Sequence, residues 1–187
     1  MSGKLLYETD FPQGRRFEVV TGDLLAQPVD AIVNAANSHL AHGGGVAGII
    51  SRAAGPELDR ESERIVRERG PLATGTAVVT TAGRLAFRGV IHVVGPRQGE
   101  GKEEARLLRA LTSGFERANE AGWRSVAFPA VSAGIFAVPP EVCARAYRSA
   151  VWGWYEAQPA TSLALLRLCL RDAPVIAAVL AEMRVSR

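Results

Sequence analysis

Residues 34–50 read NAANSHLAHGGGVAGII, and residues 132–136 read SAGIF. In both stretches glycine and small residues leave backbone N–H groups uncovered, so another molecule can approach the chain closely. Uncovered amides beside a helix start attract anions, phosphate above all. The first loop runs from Asn37 through Gly43, Gly44 and Gly45 to a helix opening at Val46. The second runs through Ser132, Ala133, Gly134, Ile135 and Phe136 to a helix near Pro139. Either loop alone is equally a tight strand-to-helix connection. Two facing loops would clamp two adjacent phosphates, so a diphosphate is the ligand they suggest. Neither is a P-loop, because no Lys-Ser/Thr follows the glycines. Positions 43, 45 and 48 match the spacing G-x-G-x-x-G, but a polar segment separates them from the preceding strand.

The polar residues near these loops have two readings each. Asp23, in VTGD, either caps a turn or accepts a hydrogen bond from an exocyclic amine such as that of adenine. Asn34 leaves a buried strand directly and is expected to fix loop backbone. Asn37 lies nearer the loop and suits a sugar hydroxyl or a water. Phe136 either stacks on a ribose or belongs to the core. His92, in GVIHVVG, reads as a satisfied strand histidine, whereas His39 and His42 read as more exposed. No His, Cys and carboxylate set has metal-site spacing, and no cofactor is called for. Ser132 lacks both a His-Asp arrangement and a G-x-S-x-G context, so no covalent nucleophile is evident. The catalytic scheme these residues support is a water held by amides and phosphates.

The elements that position the loops alternate between strand and helix. Strands are expected at 15–20, 30–35, 75–82, 89–95, 125–131 and 163–171, and helices at 46–55, 56–70, 103–121, 139–157 and 173–183. The apolar run DAIVNA predicts a strand buried on both faces. This alternation implies a three-layer α/β/α domain with a mostly parallel sheet, and ligands in such sheets bind beyond the carboxyl ends of the strands.

A chain of 187 residues with 48% apolar and 22% charged residues suits one globular domain over 1–187. No apolar run is long enough to span a membrane, and the N-terminus lacks a secretory signal, so a cytoplasmic protein is expected. Cys143 and Cys169 are then two inert buried thiols. The net charge of +3 is a weak excess, with arginines scattered beside glutamates, which argues against a nucleic-acid surface. A monomer binding a small anionic ligand is expected.

VVTGDLL (19–25), DAIVNAANSHLAHGGGVAGII (30–50), VIHVVGP (90–96) and SVAFPAVSAGIFAVP (125–139) together resemble a macrodomain, over residues 5–183 or so. The resemblance implies a mixed six-stranded sheet between helices, and a cleft for ADP-ribose or an ADP-ribosylated protein. It implies that Asp23 bonds the adenine amine and that Leu24 contributes backbone beside it. Asn37 would contact the distal ribose, and Phe136 would pack on it. Gly43, Gly44, Gly45 and Val46 would form the first phosphate loop; Ser132, Ala133, Gly134 and Ile135 would form the second. Arg171 falls where relatives place an aromatic over adenine, and a guanidinium can stack there too. The implied activity is hydrolysis of mono-ADP-ribose esters on acidic side chains, or of O-acetyl-ADP-ribose, by an activated water, with Asn37, Gly45 and Phe136 around the reacting centre. Hydrolytic relatives often read GGGVDG, whereas this chain has Ala47 in place of the acid, and neither loop has a lysine. A non-catalytic reader of ADP-ribosylated proteins and an ADP-ribose 1″-phosphate phosphatase are the alternatives.

Overall fold

A computed structural model describes residues 3–185; positions 1, 2, 186 and 187 of the expected 1–187 span lie outside the described residues. The strands are β1 (Leu5–Phe11), β2 (Arg15–Thr21), β3 (Ala31–Ala36), β4 (Ala77–Thr80), β5 (Gly89–Val94), β6 (Ser125–Phe128) and β7 (Leu165–Leu170). The helices are α1 (Gly45–Ala54), α2 (Pro56–Arg69), α3 (Glu103–Glu120), α4 (Pro140–Ala157) and α5 (Ala173–Met183). They build one sheet in the order β1-β2-β7-β6-β3-β5-β4. The central pairs β2–β7, β7–β6, β6–β3 and β3–β5 are parallel, and the edge strands β1 and β4 pair antiparallel.

The sheet has seven strands, not the six expected. The additional one is β1, whose LLYETDF carries Glu8 and Asp10 and has no buried residue. An edge strand covered on one side needs few apolar residues, so its sequence resembles a polar terminus. Pro12–Gly14 form the turn that folds it back onto β2. β6 also ends earlier than expected, at Phe128, because Pro129 has no N–H to continue the ladder.

Alternation along the central strands divides the core between two helical layers. Phe17, Val19, Ala31, Val33, Ile91 and Val93 face α3, α4 and α5. Val20, Ile32, Val90 and Ala127 face Ile50, Ala54 and Leu58 of α1 and α2. Fully buried side chains such as Phe17 and Phe128 each stabilise the fold by roughly 1.5–3 kcal/mol relative to exposure. The same period of two places Asn34 and His92 on the α1/α2 side, where they are direct register partners. No helix among the described residues is long and apolar enough to cross a membrane.

Candidate functional site

The chain leaves β2, β7, β6, β3 and β5 at one end of the sheet, and the segments that follow enclose a cavity of about 690 Å³. Every residue that the sequence singled out for ligand contact lies on its wall.

After β2, Gly22 (φ 144) turns the chain so tightly that a Cβ there would come 2.8 Å from the Gly3 Cα. Asp23 then caps a short 3-10 turn, its Oδ1 accepting from the Leu25 N–H at 3.0 Å. Capping uses one oxygen and leaves Oδ2 available, so the two readings of Asp23 are compatible. The Gln27 side chain donates to the Asp23 carbonyl at 2.7 Å, and Arg167 donates to Gln27 Oε1 at 3.2 Å. Arg167 also pairs with Glu18 at 2.6 Å, directly across the β2–β7 ladder. A largely buried ionic pair inside the sheet therefore holds the backbone beneath Asp23. After β7, Arg171 donates to the Gly22 carbonyl at 3.1 Å, and Asp172 caps α5.

The first glycine loop follows β3. Asn37 Oδ1 accepts from the N–H groups of His39 and Ala41 at 3.1 and 3.0 Å, and its Nδ2 donates to the Ala41 carbonyl at 2.8 Å. The side chain thus staples its own loop and keeps one amide hydrogen for a ligand. Gly44 is extended (φ −168°, ψ −178°), a conformation open to any residue, whereas Gly45 (φ 56°) lies in the left-handed region. No side chain caps α1, and the N–H groups of Gly44, Gly45 and Val46 have no acceptor among the described residues.

The second loop repeats this arrangement. Tyr147 donates from its hydroxyl to the Val131 carbonyl at 2.7 Å, Ser132 takes a left-handed φ of 69°, and Ala137 donates to the Gly134 carbonyl at 2.9 Å. Gly95 lets Ser132 pack close, since a Cβ there would stand 2.3 Å from Ser132 Oγ. The N–H groups of Gly134, Ile135 and Phe136 have no acceptor among the described residues, and the buried Ser132 Oγ has no partner either. Ile135, 77% exposed, reaches across the gap, its Cδ1 3.2 Å from where a Gly45 Cβ would be. The loops therefore nearly touch above the cavity.

Asn34 does not fix loop backbone as its sequence position suggested. It is fully buried, and its amide meets Nδ1 of His92 at 3.0 Å and Nδ1 of His42 at 3.4 Å. His92 Nε2 reaches Thr80 Oγ1 at 2.8 Å, and His42 Nε2 reaches Ser62 Oγ at 3.0 Å. Thr80 gives its own proton to the Thr81 carbonyl, so His92 carries its proton on Nε2 and accepts from Asn34 at Nδ1. Burial pushes the His92 pKa down to about 3, with neighbouring His42 acting in the same direction. Burial likewise lowers His42, which is half-buried rather than exposed.

The sequence reading did not include Arg97, Asp172 or Ile49, all on the cavity wall. Arg97 and Asp172 each follow a central parallel strand at its carboxyl end, and that position is the signal that would have found them. Cys143 and Cys169 are free and buried, and burial raises both thiols to about 11. No group of His, Cys, Asp and Glu among the described residues could hold a metal ion.

Two sets of unpaired amides facing one cleft at the strand ends give this α/β protein a site with the chemistry to hold an anion. A profile of the family described as Macro domain matches residues 33–147, and the chain belongs to that family. A Thermotoga maritima protein named only as uncharacterized is 45% identical over 162 residues, 86% of this chain; the chain spans 27% of that relative's length. An O-acetyl-ADP-ribose deacetylase of Escherichia fergusonii is 48% identical over 126 residues, 66% of this chain and 71% of that one. The Oceanobacillus iheyensis macrodomain with ADP superposes with a TM-score of 0.86 at 25% identity, covering 95% of each chain.

Proposed function

We propose that the cleft binds ADP-ribose and hydrolyses esters at its distal ribose, on acidic protein side chains or on acetate, with water as the nucleophile. The unpaired N–H groups on the two facing loops carry this reading. Each hydrogen bond to a charged oxygen contributes about 1.5–3 kcal/mol, so a diphosphate shared by both loops would be held firmly. Adenine lies at the Asp23 end, with Asp23 Oδ2 accepting its amine and Arg171 beside it. The distal ribose lies between Asn37 and Phe136. The remaining amide hydrogen of Asn37 positions the ribose or the water, and Gly45 offers an N–H to the neighbouring phosphate. Both thiols are protonated at neutral pH and buried, and no lysine lines the cavity, which favours water over a covalent route. The deacetylase named among the relatives and the neighbour solved with ADP support the same ligand class.

A reader function is the second reading, favoured by the apolar Ala47, 8% exposed on the cavity wall where a carboxylate could have activated water. A glutamate-linked ADP-ribosyl protein distinguishes the two. The enzyme reading expects release that falls about a hundredfold in Asn37→Ala, the size of effect that misplaced reacting groups produce, with ADP-ribose still bound. Binding without any release at high protein concentration would leave the reader.

Adenine recognition is tested separately. Asp23→Ala loses both the turn cap and the acceptor, and is expected to weaken ADP-ribose by about 1–3 kcal/mol in titration calorimetry. Asp23→Asn keeps the cap and hence the thermal midpoint. It should lose the preference for ADP-ribose over the hypoxanthine analogue, which lacks the amine. An unchanged preference would remove Asp23 from the adenine site.

A further inference from the structure

The charges on the cavity wall are unevenly distributed. Asp23, Arg171 and Asp172 gather where β2 and β7 end, so one cation is balanced by two acids. Arg97, following β5, is the charged lining residue at the other end. The sheet order places four strand-to-strand steps between β2 and β5, or about 19 Å at roughly 4.8 Å per step.

Arg97 is held in place without being neutralised. Its guanidinium lies 4.5 Å from the centroid of the Phe136 ring, and the Gln98 N–H ties the same loop to the Phe136 carbonyl at 2.8 Å. The acids of its own segment are committed elsewhere. Glu100 pairs with Arg106 at 3.2 Å and accepts from Thr74. Glu103 accepts from the N–H groups of Gly99 and Gly101 at 2.8 and 3.0 Å, and its own backbone N–H together with those of Gly101 and Gly99 holds its carboxyl below the usual range. Glu104 pairs with Arg145 at 2.8 Å. No carboxylate among the described residues forms an ion pair with Arg97. A guanidinium lying on a ring keeps its N–H fork free at the edge, in the geometry that takes a carboxylate or phosphate through two parallel bonds.

We propose that Arg97, seated on Phe136, is a receptor for an anionic group just beyond the distal ribose. The shared chemistry is a two-oxygen anion. It is either a carboxylate flanking the modified side chain in an acidic peptide or a phosphate on the ribose itself. The inference rests on the ADP-ribose reading of the cleft and adds selectivity among its substrates.

Titration calorimetry at low salt with wild type, Arg97→Met and Arg97→Lys tests it. The probes are ADP-ribose, ADP-ribose 1″-phosphate, and two peptides joined to ADP-ribose through a non-hydrolysable amide, one flanked by aspartates and one by asparagines. Methionine keeps apolar contact with the ring but removes the charge. Plain ADP-ribose is the reference ligand within each protein, and the preference is read as the ratio of affinities for the anion-bearing and neutral probes of that same protein. Wild type should favour an anion-bearing probe about three- to five-fold over its neutral counterpart, as for an exposed ion pair. Arg97→Met should lose that preference, and Arg97→Lys should retain part of it. A preference confined to the aspartate peptide identifies the peptide source, and one confined to the 1″-phosphate identifies the phosphate. Equal preferences in wild type and Arg97→Met, or none in wild type, would overturn the receptor while leaving the cleft reading intact. Failure of wild type to bind ADP-ribose would overturn the cleft reading and this inference with it.

Discussion

Gly45→Val is expected to weaken ADP-ribose binding at least thirtyfold, about 2 kcal/mol, and to lower the thermal midpoint by a few degrees. Gly45 has φ 56°, where a β-branched residue is strained, and its Cβ would press to 3.2 Å on Ile135 Cδ1. Either the first turn of α1 unwinds or Ile135 and its loop move. In both cases the amides of Gly44, Gly45 and Val46 no longer face those of Gly134, Ile135 and Phe136. The same strain accounts for the smaller loss of stability, since α1 otherwise stays anchored through Ile50 and Ala54. Titration calorimetry and thermal melting measure the two effects independently. Affinity within twofold of wild type would show that the paired amide loops do not hold the ligand.

Stability should fall steeply on mild acidification because of a residue that never touches the ligand. His92 has a pKa of about 3 in the fold against 6.5 in an open chain. Between these values the unfolded chain binds a proton that the folded chain refuses, so unfolding is favoured as pH drops. The stabilisation is complete above about pH 6.5 and is lost progressively down to pH 3. The slope is about 1.4 kcal/mol per pH unit, and the total approaches about 5 kcal/mol. His42, also lowered by burial, adds in the same direction. Urea unfolding at a series of pH values from 7.5 to 4 measures the slope. His92→Gln is expected to be less stable at neutral pH, since it breaks the bonds to Thr80 and Asn34, but to lose stability less steeply, by one proton's worth. Parallel curves for the two proteins would show that His92 is not the group refusing the proton.

The loops were legible because glycine and small residues between an apolar strand and a helix leave few alternatives. β1 was not, because an edge strand with one covered face needs no apolar run, and LLYETDF carries charges on the other face. Asn34 and His42 were misread for a different reason. They are eight positions apart, and only the parallel β3–β5 register sets His92 beside Asn34 and makes a buried chain of polar groups in which Asn34 links the two histidines. Arg97 was passed over because a single arginine after a strand has no local pattern. Its meaning comes from Phe136, thirty-nine positions later in sequence and 4.5 Å away.

The sequence by itself determined the alternation of strands and helices, the mostly parallel sheet, and the two glycine loops that line the cleft. Those follow from periodicity and glycine placement, which are local. The tertiary structure alone separated three glycines that look alike. Gly44 is extended and tolerant, whereas Gly45 is left-handed and stands against Ile135 of the other loop. It likewise decided that Asn37 spends most of its amide on its own loop, and that Arg97 at the far end of the cleft lies on Phe136 and forms no ion pair among the described residues. Backbone conformation and charge balance depend on which distant segments the sheet order sets side by side, and no local run of residues specifies that.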